Sequence, residues 1–179
     1  DALHLLTLAG LIVPVKHTSA NGLPLGAEEN DNYVKYLFFD LGVMQTMLGN
    51  PPSDTLLASE VDFVNKGAAS EMFAGLELLK YHDCFQKAEM HYWQNTAKNA
   101  LSEVDYLIAK NGKVLPIEVK ASTQGSMQSL WVFMRKHRIH DGVRTSLENF
   151  GQLYYYDSAA DQAERFVRII PLYALSNLK

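Results

Sequence analysis

"SEVDYLIAKNGKVLPIEVKA", residues 102 to 121, holds two apolar runs joined by Asn111-Gly112. A type I′ turn needs positive φ at both central positions, which Asn and Gly tolerate best, so the stretch reads as a β-hairpin. With Asn111 and Gly112 as the two loop residues, Lys110 falls opposite Lys113. Counting outward along both strands then sets Asp105 opposite Glu118 and Glu103 opposite Lys120. Directly opposed residues share a face with Cβ atoms about 4.5–5.5 Å apart, and alternation puts Glu118 and Lys120 on that same face. Two carboxylates so placed repel, and they need a cation or a shared proton between them.

Aspartate and glutamate oxygens suit a hard cation such as Mg²⁺ or Mn²⁺. A lysine beside such a site orients or helps deprotonate water and offsets negative charge building on a phosphorus centre. The competing reading is a solvated face on which Lys120 pairs with Glu103, and Glu118 with some other base.

Upstream, Val61, Val64, Ala68, Met72, Leu76 and Leu79 recur at steps of three and four, the period of an amphipathic helix over about residues 56–81. At 100° per residue, Glu71 lies about 20° from Val64 at the edge of the apolar stripe, while Glu77 points well away from it. Glu71 is a carboxylate able to look toward the sheet, or a boundary glutamate with its head in water. "AEMHYWQN" adds a strand before the hairpin. His91 and Trp93 within it read as core or rim residues, and no zinc-ligand spacing is present.

The N-terminal quarter predicts a helix from an Asp1 cap through Ala9, ended by Gly10, then a strand "LIVPVKH", a polar turn region, a strand "YVKYLFFD" and a short helix "LGVMQTMLG". This order suggests a small winged-helix-like segment. "NPPSD", residues 50 to 54, marks the boundary, since two prolines break a helix and Ser53 or Asp54 can cap the next. The expected division is residues 1–52 and 53–179.

The bulk properties fit one well-buried domain, or one domain plus a small appendage: 179 residues, 47% hydrophobic and 20% charged. Cys84 stands alone, which excludes an internal disulfide and suits a reducing cytoplasm. The most apolar N-terminal stretch, Leu3 to Val15, is too short to span a bilayer and lacks the basic start and small-residue cleavage site expected of a signal peptide. The chain begins with Asp1, so a fragment of something longer is expected. The net charge of −4 leaves any nucleic-acid contact to a local patch.

These pieces together resemble the PD-(D/E)xK nuclease superfamily: an acidic residue on a leading helix, an aspartate on one strand, Glu-x-Lys on the next, then a helix and another strand. The closer resemblance is to the domain of unknown function at the C-terminus of many bacterial and archaeal AAA-type ATP-binding proteins. It is carried by "DALHLLTLAGLI", "LPLGAEEN", "YLFFDLGVMQTMLG", "GAASEMFAGLELL", "HYWQN", "SEVDYLIAKNGKVLPIEVKAS" and "RIIPLYAL", nearly the whole chain. It implies an α/β fold, a restriction-endonuclease-like mixed sheet flanked by helices. It also implies Asp105, Glu118 and the Val119 carbonyl as ligands of Mg²⁺ or Mn²⁺, Lys120 as catalytic lysine and Glu71 as the leading-helix carboxylate. Val104 stands where many members carry proline. Full-length members bear an AAA-type ATPase; no G-x-x-x-x-G-K-[ST] occurs here, so no ATP site of that kind is expected.

"RKHRIHDGVR", residues 135 to 144, supplies Arg135, Lys136, Arg138 and Arg144. It reads either as a grip on a phosphate backbone or as a solvated helix end. "QLYYY", residues 152 to 156, matches the Q-x-x-x-Y pattern of RecB-like nucleases but follows the fourth core strand, so the tyrosines read as packing or stacking at a surface. The expected function is metal-dependent hydrolysis of DNA phosphodiesters, in which the ion polarises a phosphate oxygen and Lys120 positions the attacking water. The alternatives are a non-catalytic nucleic-acid- or protein-binding module that regulates the attached ATPase, and a purely structural domain marked by a Lys120–Glu103 pair.

Overall fold

The computed structural model describes residues 2–49, 66–95, 97, 102–121, 126–158 and 161–178. The NPPSD boundary, the Asp1 cap and helix positions 56–65, with Val61 and Val64, lie outside these. In chain order the elements are α1 (Ala2–Leu8), β1 (Ile12–Thr18), a 3₁₀ turn (Leu25–Glu28), β2 (Glu29–Phe38), α2 (Leu41–Met47), α3 (Lys66–Leu79), β3 (Met90–Gln94), β4 (Glu103–Lys110) and β5 (Lys113–Glu118). There follow α4 (Gln128–Lys136), β6 (Asp141–Ser146), β7 (Gly151–Asp157), β8 (Ala163–Pro171) and a second 3₁₀ turn (Leu172–Asn177).

All eight strands among the described residues form one mixed sheet, ordered β2-β1-β3-β4-β5-β6-β8-β7. The β4–β5 hairpin has the register its turn predicts: Lys110 pairs with Lys113 and Tyr106 with Ile117, and Asn111 and Gly112 take φ of 51° and 72°. β3 and β5 flank β4 antiparallel, and β6 joins β5 in parallel after the α4 crossover. β5 is buried from Val114 to Glu118 because neighbours and helices cover both faces. Alternation divides the core. Tyr92, Tyr106 and Ile117 pack with Met72 and Leu78 of α3 and with Leu175 of the second 3₁₀ turn. Trp93, Leu107 and Val114 pack instead with Phe133 of α4. The architecture is thus α/β, a mixed sheet flanked by helices. No described helix is long and apolar enough to cross a membrane.

The segment expected as a winged-helix-like appendage departs from that expectation. β1 is antiparallel to β2 on one side and parallel to β3 on the other, so residues 12–38 extend the central sheet. The apolar alternation of β1 explains this, since Val15 is fully buried in the main core with Leu78 and Tyr92. α2 begins where Asp40 caps it, its Oδ1 accepting from the Val43 amide at 2.9 Å.

Helix α3 also corrects an expectation. Glu77 is buried, 8% exposed, and pairs with Lys80. The second 3₁₀ turn packs on α3 in addition to the sheet, so the buried face is wider than one amphipathic stripe. α3 approaches the sheet closely at Gly75: a Cβ there would lie 2.5 Å from Tyr106 Oη and against Leu37. Tyr106 donates through that hydroxyl to the Glu71 carbonyl at 2.7 Å, locking the first turns of α3 over β4.

Candidate functional site

One step beyond the last β4–β5 pair lie Asp105 and Glu118. The Val119 amide donates to Asp105 Oδ2 at 2.7 Å, tying the two strand ends together through an acidic side chain. Glu118 is 4% exposed. Its Oε1 lies 2.6 Å from the Lys120 ammonium, whereas Oε2 is buried without a hydrogen-bond partner. A buried carboxylate oxygen left unsatisfied costs about 1–3 kcal/mol or more, a cost that a proton, a water or a cation would relieve. Arg144 of β6 sits level with Glu118 in the parallel register and is itself buried.

The leading-helix carboxylate gathers around Asp105 with Glu103, in a group that does not take in Glu118. Ligand oxygens of Glu71, Glu103 and Asp105 lie within 4.8 Å of one another. Desolvation first, then the charges of Glu118 and Glu71, push the Asp105 carboxyl up to about 7. Burial likewise raises Glu118 above the usual carboxylate range, against the opposing pull of Lys120. A surplus of buried negative charge of this kind favours a bound cation or proton.

Sequence reasoning missed Lys35. Projecting from β2, its ammonium lies 2.8 Å from Glu71 Oε1, bonds Glu103 as well, and stands 4.7 Å over the Tyr92 ring. Burial disfavours its charge, but Glu71 and Glu103 outweigh that and raise its pKa. Only the long-range placement of β2 in the sheet brings Lys35 here, and no local spacing marks it. Lys120, placed opposite Glu103 by the hairpin count, turns instead to Glu118. β5 ends at Glu118, and the Lys120 amide donates to Thr145 Oγ1 of β6 at 2.8 Å. Glu103 pairs with Lys35, so the Lys120–Glu103 pair of a purely structural face is absent among the described residues.

The basic stretch does not form one surface. Arg135 Nε donates to Asp157 at 2.7 Å, and the Lys136 ammonium lies 5.1 Å over Trp93. Exposed Arg138 lines a cavity with the hairpin turn at the other end of β4 from Asp105. Of the four cations, Arg144 is the one beside Glu118. Tyr154, Tyr155 and Tyr156 lie on the outer strand β7, with Tyr155 4.9 Å from Trp131.

The family model described as Domain of unknown function (DUF4143) matches residues 66–175. The chain therefore belongs to that family. The match takes in α3, the hairpin and α4 but leaves out β1 and β2, and with them Lys35. Comparison with the curated proteins and with the solved structures found no match.

Proposed function

We propose that this member of the DUF4143 family is a divalent-metal-dependent nuclease domain that hydrolyses DNA phosphodiester bonds, joined in its whole protein to an AAA-type ATPase of the cytoplasm. The observation that carries the reading is Glu118 Oε2, buried and unpartnered at the strand end beside Asp105. Asp105, Glu118 and the Val119 carbonyl would hold Mg²⁺ or Mn²⁺, whose chemistry is to polarise a phosphate oxygen and make water more acidic.

The chain's own residues divide the remaining work. Lys120, hydrogen-bond distance from Glu118 and 30% exposed, orients the attacking water and offsets charge building on phosphorus. Burial pushes the Glu118 carboxyl up, and Lys120 first, with a smaller pull from buried Arg144, opposes that rise. Glu71 extends the carboxylate set from the leading helix. The order α3, three antiparallel strands β3–β4–β5, crossover α4 and parallel β6 matches what the restriction-endonuclease-like resemblance implies and supports it. Exposed Lys136 and Arg138 remain candidates for the DNA backbone away from this centre.

The test is incubation of the full chain with linear, circular and single-stranded DNA and Mg²⁺ or Mn²⁺, beside Lys120→Ala and Glu118→Gln. Metal-dependent cutting by the unaltered protein, lost in both variants, is the expected result. Equal behaviour of all three overturns the catalytic reading and leaves a binding module that regulates the attached ATPase.

A further inference from the structure

A second group of ligating side chains lies away from the Asp105 centre, at the start of β2 and β3. His91 is 3% exposed, and its Nε2 lies 2.8 Å from Glu29 Oε1. Ligand atoms of Glu29, Glu89 and His91 all fall within 4.8 Å of one another. Both carboxylates converge on Gly26 of the first 3₁₀ turn: a Cβ there would lie 3.4 Å from Glu89 Oε2 and 3.6 Å from Glu29 Oε1. Lys16 takes the other oxygen of Glu29 at 2.5 Å, which orients Oε1 toward the imidazole as an outer partner orients a metal ligand.

A second imidazole borders the same space, outside the 4.8 Å group but near enough to feel the charges of His91 and Glu89. Gly26, His82, Glu89 and His91 border one cavity of about 700 Å³. His82 Nε2 is buried without a hydrogen-bond partner. Glu89 makes no ion pair among the described residues, so one carboxylate and one imidazole nitrogen are both uncommitted beside a Glu29–His91 pair already in contact.

We propose that Glu29, Glu89 and His91, with His82 as fourth donor, bind a Zn²⁺ ion that ties β2, β3 and the turn after α3 together. Two imidazoles and two carboxylates suit Zn²⁺ better than Mg²⁺ or Ca²⁺, which take oxygen ligands. In a tetrahedral site with bonds of about 2.0–2.2 Å, neighbouring ligand atoms stand roughly 3.3 Å apart. The Glu29–His91 contact of 2.8 Å then needs to open by only about half an ångström, within the reach of a glutamate side chain. The site uses none of the residues around Asp105, and it stands whether or not the chain cuts DNA.

Zn²⁺ and, separately, Co²⁺ are titrated into the metal-stripped full chain and into Asp105→Asn, Glu89→Gln and His91→Gln, following heat of binding and the visible absorption of Co²⁺. Saturable uptake that survives Asp105→Asn, raises the melting temperature and disappears with His91→Gln is expected. Glu89→Gln alters an exposed residue that the fold does not need, and it should weaken binding by on the order of 10-fold or more. It therefore keeps the test decisive if His91→Gln fails to fold. Absence of saturable uptake, uptake unaffected by Glu89→Gln, or uptake lost with Asp105→Asn overturns the assignment.

Discussion

Lys35 of β2 reaches across the sheet to hold Glu71 of α3 at 2.8 Å, so the carboxylates of the candidate site already carry an internal counterion. An incoming dication must share or displace that ammonium. Lys35→Met should therefore destabilise the protein by roughly 1–2 kcal/mol in EDTA, since each of its two partly exposed pairs contributes at most about 1 kcal/mol. It should also lower the Mg²⁺ concentration needed to recover stability. Urea unfolding with and without Mg²⁺ measures both, and an unchanged midpoint in EDTA would show that Lys35 is no counterion.

Asp105 gives a pH signature to the metal-free protein. Its carboxyl titrates at about 7 in the fold against an ordinary 3.8, so between those values the folded chain binds the extra proton. This contribution is fully present below about pH 4 and is lost as pH rises through about 7. Asp105→Asn removes the dependence while still accepting from the Val119 amide. Its stability gain over the unaltered protein should be larger at pH 8 than at pH 5 by on the order of 2 kcal/mol, at about 1.4 kcal/mol per pH unit. Thermal unfolding in EDTA at the two pH values is the check.

Lys120 should separate chemistry from folding. Partly exposed ion pairs contribute at most about 1 kcal/mol. Loss of a positioned group facing developing charge costs roughly 10²–10³ in rate. Lys120→Ala is thus expected to melt within a few degrees of the unaltered protein while cleaving far more slowly. If melting temperature and cleavage fall together, Lys120 serves the fold.

Gly75 sets the distance between α3 and the sheet. Gly75→Ala brings a methyl to 2.5 Å from Tyr106 Oη and against Leu37, so those packed side chains or the helix must give, and the bond to the Glu71 carbonyl is disturbed. Overpacking of this kind costs about 1–3 kcal/mol. Tyr106→Phe deletes the same hydrogen bond without displacing the helix and should cost about 0.5–1.5 kcal/mol. Cleavage should fall further in Gly75→Ala than in Tyr106→Phe, because only the former crowds the contact between the sheet and α3, which carries Glu71.

Local chemistry was readable in advance. Asn111-Gly112 announced its turn and thereby the register that sets Asp105 beside Glu118. What escaped depended on contacts far apart in the chain. Nothing near residue 35 signals that β2 lies two strands from β3, bringing Lys35 to Glu103. Lys120 left its counted position because β5 stops at Glu118 and its next amide bonds β6, a competition that hairpin geometry alone cannot contain. The basic run of residues 135–144 looked continuous in sequence. The turn from α4 into β6 disperses it, sending Arg138 to the hairpin end and Arg144 into the sheet.

The parallel pairing of β1 with β3 also bears on which strand edges the sheet leaves open. The family match begins at residue 66, after β1 and β2. A fragment cut there would strip β3 of its partner at Val15–His17 and turn Met90–Gln94, buried at four of five positions, into an open edge. Unpaired amides and carbonyls along such an apolar edge are a template for another chain, and intermolecular strand addition follows. The first 49 residues are in this sense a molecular guard rail, keeping the matched region from polymerising with itself.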